Sequence, residues 1–348
     1  MFPWIVPGAA ALTVVGLTPL VQKIGFKFGY IDQPNARKIH RQPIVRIGGV
    51  GIFIGTFTSW ILTDQLMATA AESSIFLALL LGGIGFFATG LMDDLFDLSP
   101  FARLGIQALL SAGVWHLGIR LDALPLPGLT AALPAWLSLL VTFLWLAGMA
   151  NAINWLDGMD GLAAGTATVA AVVLAALAWP TQPAIAGMAL GLAGATLGFL
   201  RYNAAPARIF MGDGGSYFLG FALAAIALVG LPHDGSITTA LLPFLVLLIP
   251  VLDMTLVIGA RLSDRKSPFF PDQRHIHHRL MHANFPKATV VWSIYSLTLL
   301  SGLSALLLLH SPLGWWLLSA DLALFSLTMR SLWLPTATPA MSLPTLTQ

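Results

Sequence analysis

Windows of about 20 mostly apolar residues, the length a membrane helix needs, recur along the whole chain. They lie near 2–22, 47–67, 73–92, 102–119, 134–153, 161–179, 183–200, 214–231, 238–260, 288–310 and 313–330. The pattern predicts an all-α polytopic membrane protein with about eleven transmembrane helices. Pro and Gly punctuate the breaks, as at Pro180-Thr-Gln-Pro183 and Ser311-Pro312-Leu313-Gly314. No separate soluble domain interrupts the series, so residues 1–348 read as one integral-membrane domain. The first window, Phe2 to Val21, lacks a basic leader and a small-residue cleavage site, and reads as a retained span.

Composition agrees with the pattern. The chain is 57% hydrophobic and only 9% charged, and its mean hydropathy is +0.83. A soluble domain carries about 25% charged residues, so lipid is the solvent for most of this one. There is no cysteine, which excludes disulfides and thiolate metal sites. The net charge of +2 says little, but its distribution says more. With loops numbered alternately, 16 of the 17 Lys and Arg residues fall on the odd loops, their borders and the C-terminal tail, and only Arg120 falls on the other side. The positive-inside rule then places the N-terminus outside and the C-terminus in the cytoplasm. Most carboxylates, including Asp93, Asp94, Asp157, Asp160 and Asp213, share the basic side. Acids contribute little to orientation, so their clustering calls for another cause.

Five polar segments on that side carry the candidate chemistry, within loops near 23–46, 93–103, 151–161, 201–216 and 261–287. Met92-Asp93-Asp94 ends the third window, where adjacent carboxylates repel and oppose the helix dipole unless a cation sits nearby. Hard oxygen ligands of this kind suit Mg2+, with Mn2+ as a substitute. Asn151-Ala-Ile-Asn154-Trp-Leu-Asp157-Gly-Met-Asp160-Gly161 spaces Asn154, Asp157 and Asp160 three apart, on one face if helical. The bland alternative is a hydrogen-bonded helix-end network. Met211-Gly212-Asp213-Gly214-Gly215-Ser216 opens the eighth window as a Gly-rich turn that fits either an anion site or a plain N-cap. In the long loop from Arg261 to Lys287, His275, His277 and His278 stand between Arg274 and Arg279. That grouping suits phosphate better than zinc, because no Cys and no helical HExxH frame accompanies it. A juxtamembrane basic loop held by anionic lipid is the other reading. The first loop, with Lys38 and Arg46, serves phosphate binding or simple orientation. Asp253 and Asp321 lie deep within windows: Asp253 reads as structural or active-site support, and Asp321 as hydrogen-bonded within the bundle.

These motifs resemble those of the polyprenyl-phosphate N-acetylhexosamine-1-phosphate transferases (glycosyltransferase family 4). NAINWLDGMDGL is the most distinctive, followed by MGDGGS and MDD. RHIHHRL and DQPNARKIHRQPIVRIGG resemble the WecA/TagO-like branch, while the three consecutive histidines of the related MraY enzymes are absent. Val45 stands where that branch usually has Pro. The resemblance implies transfer of a sugar-1-phosphate, GlcNAc-1-phosphate by default, from a UDP-sugar to undecaprenyl phosphate, with release of UMP. It implies a bacterial inner membrane, an active site on the cytoplasmic face, and a place at the first membrane step of cell-surface polysaccharide synthesis. By position, it makes Asp213, Asp93 and Asp94 metal ligands and catalytic groups. His277 and His278 become catalytic, beside the diphosphate with His275. Asn154, Asp157, Asp160, Arg274, Lys38, Arg46 and Arg103 become substrate-binding. A homodimer is compatible with these features, and no nucleic-acid partner is expected. Direct attack by the lipid phosphate is favoured over a carboxylate-phosphate intermediate, because positioning and charge stabilisation usually suffice for phosphoryl transfer. The competing class is a transporter of a polar solute, whose site would lie near the midplane on broken helices.

Overall fold

The computed structural model describes residues 4–33, 42–67, 73–122, 133–231, 236–270 and 272–333 of the chain. Among the described residues there are thirteen α-helices and one two-stranded hairpin. In order they are α1 (Ile5–Phe28), β1 (Ile31–Asp32), β2 (Ile44–Val45), α2 (Gly49–Met67), α3 (Ser73–Phe96), α4 (Pro100–His116), α5 (Ala135–Leu156), α6 (Leu162–Ala178), α7 (Pro183–Asn203), α8 (Gly212–Gly230), α9 (Ile237–Val246), α10 (Leu248–Ser263), α11 (Ile276–His282), α12 (Lys287–Leu308) and α13 (Leu313–Trp333). Every one of the eleven apolar windows contains helix. Six helices, α1, α3, α5, α7, α8 and α12, are long and apolar enough to cross a membrane.

Two expectations change. The window at 238–260 is not one helix but two, α9 and α10, bent by 77° at a break, and together they make a seventh candidate span. The cause is local. Pro250 has no N–H to donate into the preceding turn, and Pro243 lies one turn before the break. The loop from Arg261 to Lys287 also contains a short helix, α11, which carries His277 and His278.

Burial shows which helices form the centre. In α8, 83% of the best apolar window is buried within the protein, and in α7 78%, against 28% in α1. α8 packs between α3 and α5, and α7 between α1, α2 and α6. Glycines set several of these crossings: a Cβ on Gly220 of α8 would stand 2.3 Å from the Met149 carbonyl of α5. With no hydrophobic drive between helices in lipid, such close backbone contact is what holds them. Leu66, Leu109 and Trp292 point outward from the outer helices and are exposed, as lipid contact requires.

The hairpin ties the beginning of the chain to its middle. Ile31 pairs with Val45 in the antiparallel ladder. Phe210 N–H donates to Val45 O at 2.8 Å, Gly48 N–H to Phe210 O at 2.9 Å and Gly49 N–H to Met211 O at 2.8 Å. These bonds lay residues 44–49 along the turn that leads into α8. Asp321 differs from expectation: it is buried in α13, and neither carboxylate oxygen has a partner among the described residues.

Candidate active site at one end of the bundle

The C-terminal end of α3 meets the N-terminal end of α8 because Gly90 has no side chain. A Cβ there would lie 2.1 Å from the Asp213 carbonyl oxygen. One turn further along α3, Asp93 and Asp94 therefore come level with Asp213. Both acids are buried, 6% and 7% exposed. Asp94 Oδ2 accepts from Gly214 N–H at 3.1 Å, so a carboxylate already occupies part of the helix N-terminus expected to hold an anion. Arg46 donates to the Asp94 carbonyl oxygen. Gly212 adopts φ +72°, and a Cβ on it would stand 2.0 Å from Arg46 O and 2.6 Å from Asp94 Oδ2. Asp93 Oδ1 accepts from Leu98 N–H at 2.9 Å and so caps the end of its own helix. Asp93 Oδ2 accepts from Arg103 of α4 and, at 3.4 Å, from the Tyr217 hydroxyl. Asp213 faces the carboxylates of both Asp94 and Asp93.

The end of α5 supplies the next layer. Asn154 Nδ2 donates to Asp213 Oδ1 at 2.7 Å and to Ser216 Oγ at 3.0 Å. Asp157 caps α5 and feels the charges of Asp213, Asp94 and Asp160. Burial first, and then those three carboxylates, push its carboxyl well above the usual range. Asp160 Oδ2 accepts from Ala207 N–H at 3.0 Å, which fastens this turn to the loop before α8. Asn203 Oδ1 accepts from Gly161 N–H at 3.1 Å, and the Tyr295 hydroxyl donates to Gly161 O at 2.6 Å.

Beside the acids lies a cleft whose lining includes Arg103, Asn154, Trp155, Arg261, Phe269 and His275. Arg261 is 2% exposed. Its Nε and Nη2 hold both oxygens of Asp272 at 3.1 and 2.9 Å, and its guanidinium lies 4.9 Å above the Trp155 ring. Burial disfavours the Asp272 anion, but the hydrogen bond and charge of Arg261 outweigh it and hold the carboxyl below its usual range. Arg274 turns to Asp264 and Asp272 and braces the loop. The histidines form a ladder beneath: His275 lies 5.4 Å from Trp155 and 6.0 Å from His277, and His277 lies 4.2 Å from His278 between ring centroids. His277 is buried against Gly158, and neither ring nitrogen has a partner among the described residues. Burial, and then the neighbouring His278 and His275, lower its pKa to about 3, so it is neutral at physiological pH. Burial lowers His278 as well.

Comparison with known proteins fits this arrangement. Residues 76–231 match the family described as glycosyl transferase family 4. A probable undecaprenyl-phosphate N-acetylglucosaminyl 1-phosphate transferase of Bacillus subtilis is 34% identical over 85% of this chain and 82% of its own length. The decaprenyl-phosphate N-acetylglucosaminephosphotransferase of Mycolicibacterium smegmatis is 32% identical over 82% and 77%. The undecaprenyl-phosphate alpha-N-acetylglucosaminyl 1-phosphate transferase of Salmonella typhi is 32% identical over 76% and 73%. The chain belongs to glycosyl transferase family 4. Within it, these relatives are polyprenyl-phosphate N-acetylglucosaminyl-1-phosphate transferases, and nothing in the comparisons favours the transporter alternative.

For a family 4 transferase, the structure brings together most of the residues singled out in the sequence. Asp93, Asp94, Arg103, Asn154, Asp157 and Asp213 meet at one end, with Arg46 at the edge and the histidines alongside. Lys38 lies outside the described residues. Among the described residues, no group of three His, Asp or Glu side chains stands as a ready-made metal cage. The donor set still fits magnesium, which usually takes one or two carboxylates and completes its shell with water and substrate phosphate. Among the described residues Asp94 and Asp213 make hydrogen bonds but no salt bridge, whereas Arg103 already pairs with Asp93. Sequence reasoning missed Tyr217, whose hydroxyl accepts from Arg103 at 3.0 Å. It also gave Trp155 no role and read Arg261 only as an orienting charge. An aromatic inside a polar motif was the available signal for Trp155.

Proposed function

We propose that this chain transfers N-acetylglucosamine-1-phosphate from UDP-N-acetylglucosamine to undecaprenyl phosphate and releases UMP. The site faces the cytoplasm of a bacterial inner membrane. The observation that carries the reading is the meeting of Asp93, Asp94, Asn154 and Asp213 beside a cleft containing Arg103, Trp155 and His275. Surplus carboxylates, cationic donors and an aromatic wall stand at the mouth of an apolar bundle. That combination suits a soluble diphosphate and a lipid phosphate meeting at the membrane surface. Basic-residue bias supports the orientation, and the basic loops gather at the same end as the acids.

In this reading the lipid phosphate attacks the sugar-bearing phosphorus directly, and the bond to UMP breaks. A phosphate monoester is largely ionised near neutral pH and needs little activation. Asp213 and Asp94, with Asp93 behind them, would hold magnesium, which supplies neutralisation of the diphosphate charge. Asn154 holds Asp213 in place. Arg103, paired to Asp93, presents its guanidinium to the phosphates. Trp155, held beneath Arg261, offers a face for the base, and Asp157 and Asp160 shape the turn beside it. His275 lines the side of the diphosphate, and the buried, uncharged His277 stacks behind it. The test is UMP release from a panel of UDP-sugars with undecaprenyl phosphate, with and without magnesium. Asp213→Asn is expected to lose the magnesium-dependent rate by about 100-fold or more, and full activity there removes the metal assignment.

A further inference from the structure

Asp253 belongs to none of the motifs above, yet both of its carboxylate oxygens are engaged beside the cleft. It sits in α10 after the break, 5% exposed. Its Oδ2 meets Nδ1 of His275 at 2.8 Å. Its Oδ1 accepts from the backbone N–H of Ile276 at 2.8 Å. Ile276 is the first residue of α11, and His275, at the N-cap position, offers no side-chain cap of its own. One buried carboxylate therefore holds both the ring of His275 and the start of the helix that carries His277 and His278. A carboxylate buried among apolar helices is costly, and the cost is tolerated where it fixes something.

We propose that Asp253 is a positioning residue for the transfer reaction, acting through His275. A carboxylate accepts, so Nδ1 of His275 is the donor. The tautomer is thereby set, and Nε2 is the only ring nitrogen left for a ligand in the cleft that His275 lines. The ring cannot flip without losing its bond to Asp253, and Trp155 and His277 flank it at 5.4 and 6.0 Å. With the proton on Nδ1, Nε2 presents a lone pair, so its partner is a hydroxyl of the nucleotide sugar that donates to it. This rests on the reading of His275 as a substrate-facing group.

Asp253→Asn separates positioning from folding. The amide oxygen still accepts from Ile276 N–H, so α11 keeps its anchor. The amide NH2 now donates to Nδ1, which moves the imidazole proton to Nε2 and reverses what the cleft is offered. UMP release by the full-length protein in detergent is measured for Asp253→Asn, His275→Ala and the double variant. Outer partners of functional histidines typically matter by about 10- to 100-fold, and that loss in kcat/KM is expected for Asp253→Asn with melting temperature retained. In the His275→Ala background, Asp253→Asn is expected to add less than about twofold, because the two act as one unit. An Asp253→Asn rate within about twofold of the parent, or losses that multiply in the double variant, overturns the proposal. Full activity of His275→Ala alone overturns the substrate-facing reading instead, which that single variant shows without reference to Asp253. Should Asp253→Asn fail to fold, the ring 15N shifts of His275 in the unaltered protein decide the matter, assigned by their loss in His275→Gln. An Nδ1–H tautomer is expected, and an Nε2–H tautomer overturns the proposal.

Discussion

Gly90→Ala isolates the contact on which the acid cluster depends. The added methyl would stand 2.1 Å from the Asp213 carbonyl oxygen, 2.4 Å from its carbon and 2.6 Å from the Gly214 nitrogen. All three atoms are backbone, so no side-chain rotation relieves the clash. Ordinary contact begins near 3.4 Å, so α3 and α8 must part by roughly 1 Å at the level of Asp93, Asp94 and Asp213. Overpacking of this kind costs about 1–3 kcal/mol, which a bundle this extensively packed survives. Catalysis is more sensitive: a misplacement of about 1 Å lowers a rate by about 100-fold. The expected result is a folded, monodisperse protein whose kcat/KM for UMP release falls by about 100-fold. Gly113→Ala in α4, where a Cβ meets nothing within 4 Å, is the control and keeps the parent rate. A Gly90→Ala enzyme within about twofold of the parent would refute the claim that this crossing sets the register of the acids.

Arg261→Lys removes a bidentate grip on Asp272 that an ammonium cannot reproduce. KM for the nucleotide sugar is expected to rise about tenfold with kcat nearly unchanged, and a kcat-only effect would argue against a binding role. His277 titrates near pH 3 in the fold and near 6.5 when unfolded. The unfolded chain therefore takes up the proton first, and the stability this residue contributes is complete above pH 6.5 and is lost as pH falls towards 3. Melting curves across that range should fall more steeply for the parent than for His277→Gln, and parallel curves would count against the buried neutral ring. The chain has no cysteine, so single-cysteine labelling has no background. A cysteine at Glu72 should react from the outside, and reaction only from the cytoplasm would reverse the proposed orientation.

The sequence made legible what was chemically out of place. Asp93-Asp94, Asn154 to Asp160 and Asp213 stood out because carboxylates and amides at the ends of apolar windows are costly without partners. Their helices followed from window length alone. Relations between helices were not legible. Tyr217 sits within an apolar window with nothing to set it apart, and only the α3, α4 and α8 packing brings its hydroxyl to Arg103 and Asp93. Arg261 was counted as a topological charge because its burial against Trp155 depends on the path of the loop beyond it. The bend between α9 and α10 was foreshadowed by Pro250, but hydropathy averages over such a break and reports one window. Asp253 lacked an assigned partner because His275 lies 22 residues away on a segment that reads as loop.

The backbone bonds from residues 44–49 to Phe210 and Met211 also constrain the order in which the protein is made. The first half of that contact leaves the ribosome more than 160 residues before the second. Through that interval the early helices can enter the membrane, but Gly48 and Gly49 have no partner strand and Asp94 has no helix start to cap. The acid cluster therefore cannot assemble on a chain that ends before α8. It waits until α8 is inserted, and the histidine segment follows another 60 residues later. Long-range closure of this kind is slow relative to helix formation. An arrested chain ending before α8 would hold most of the membrane anchor and none of the assembled site.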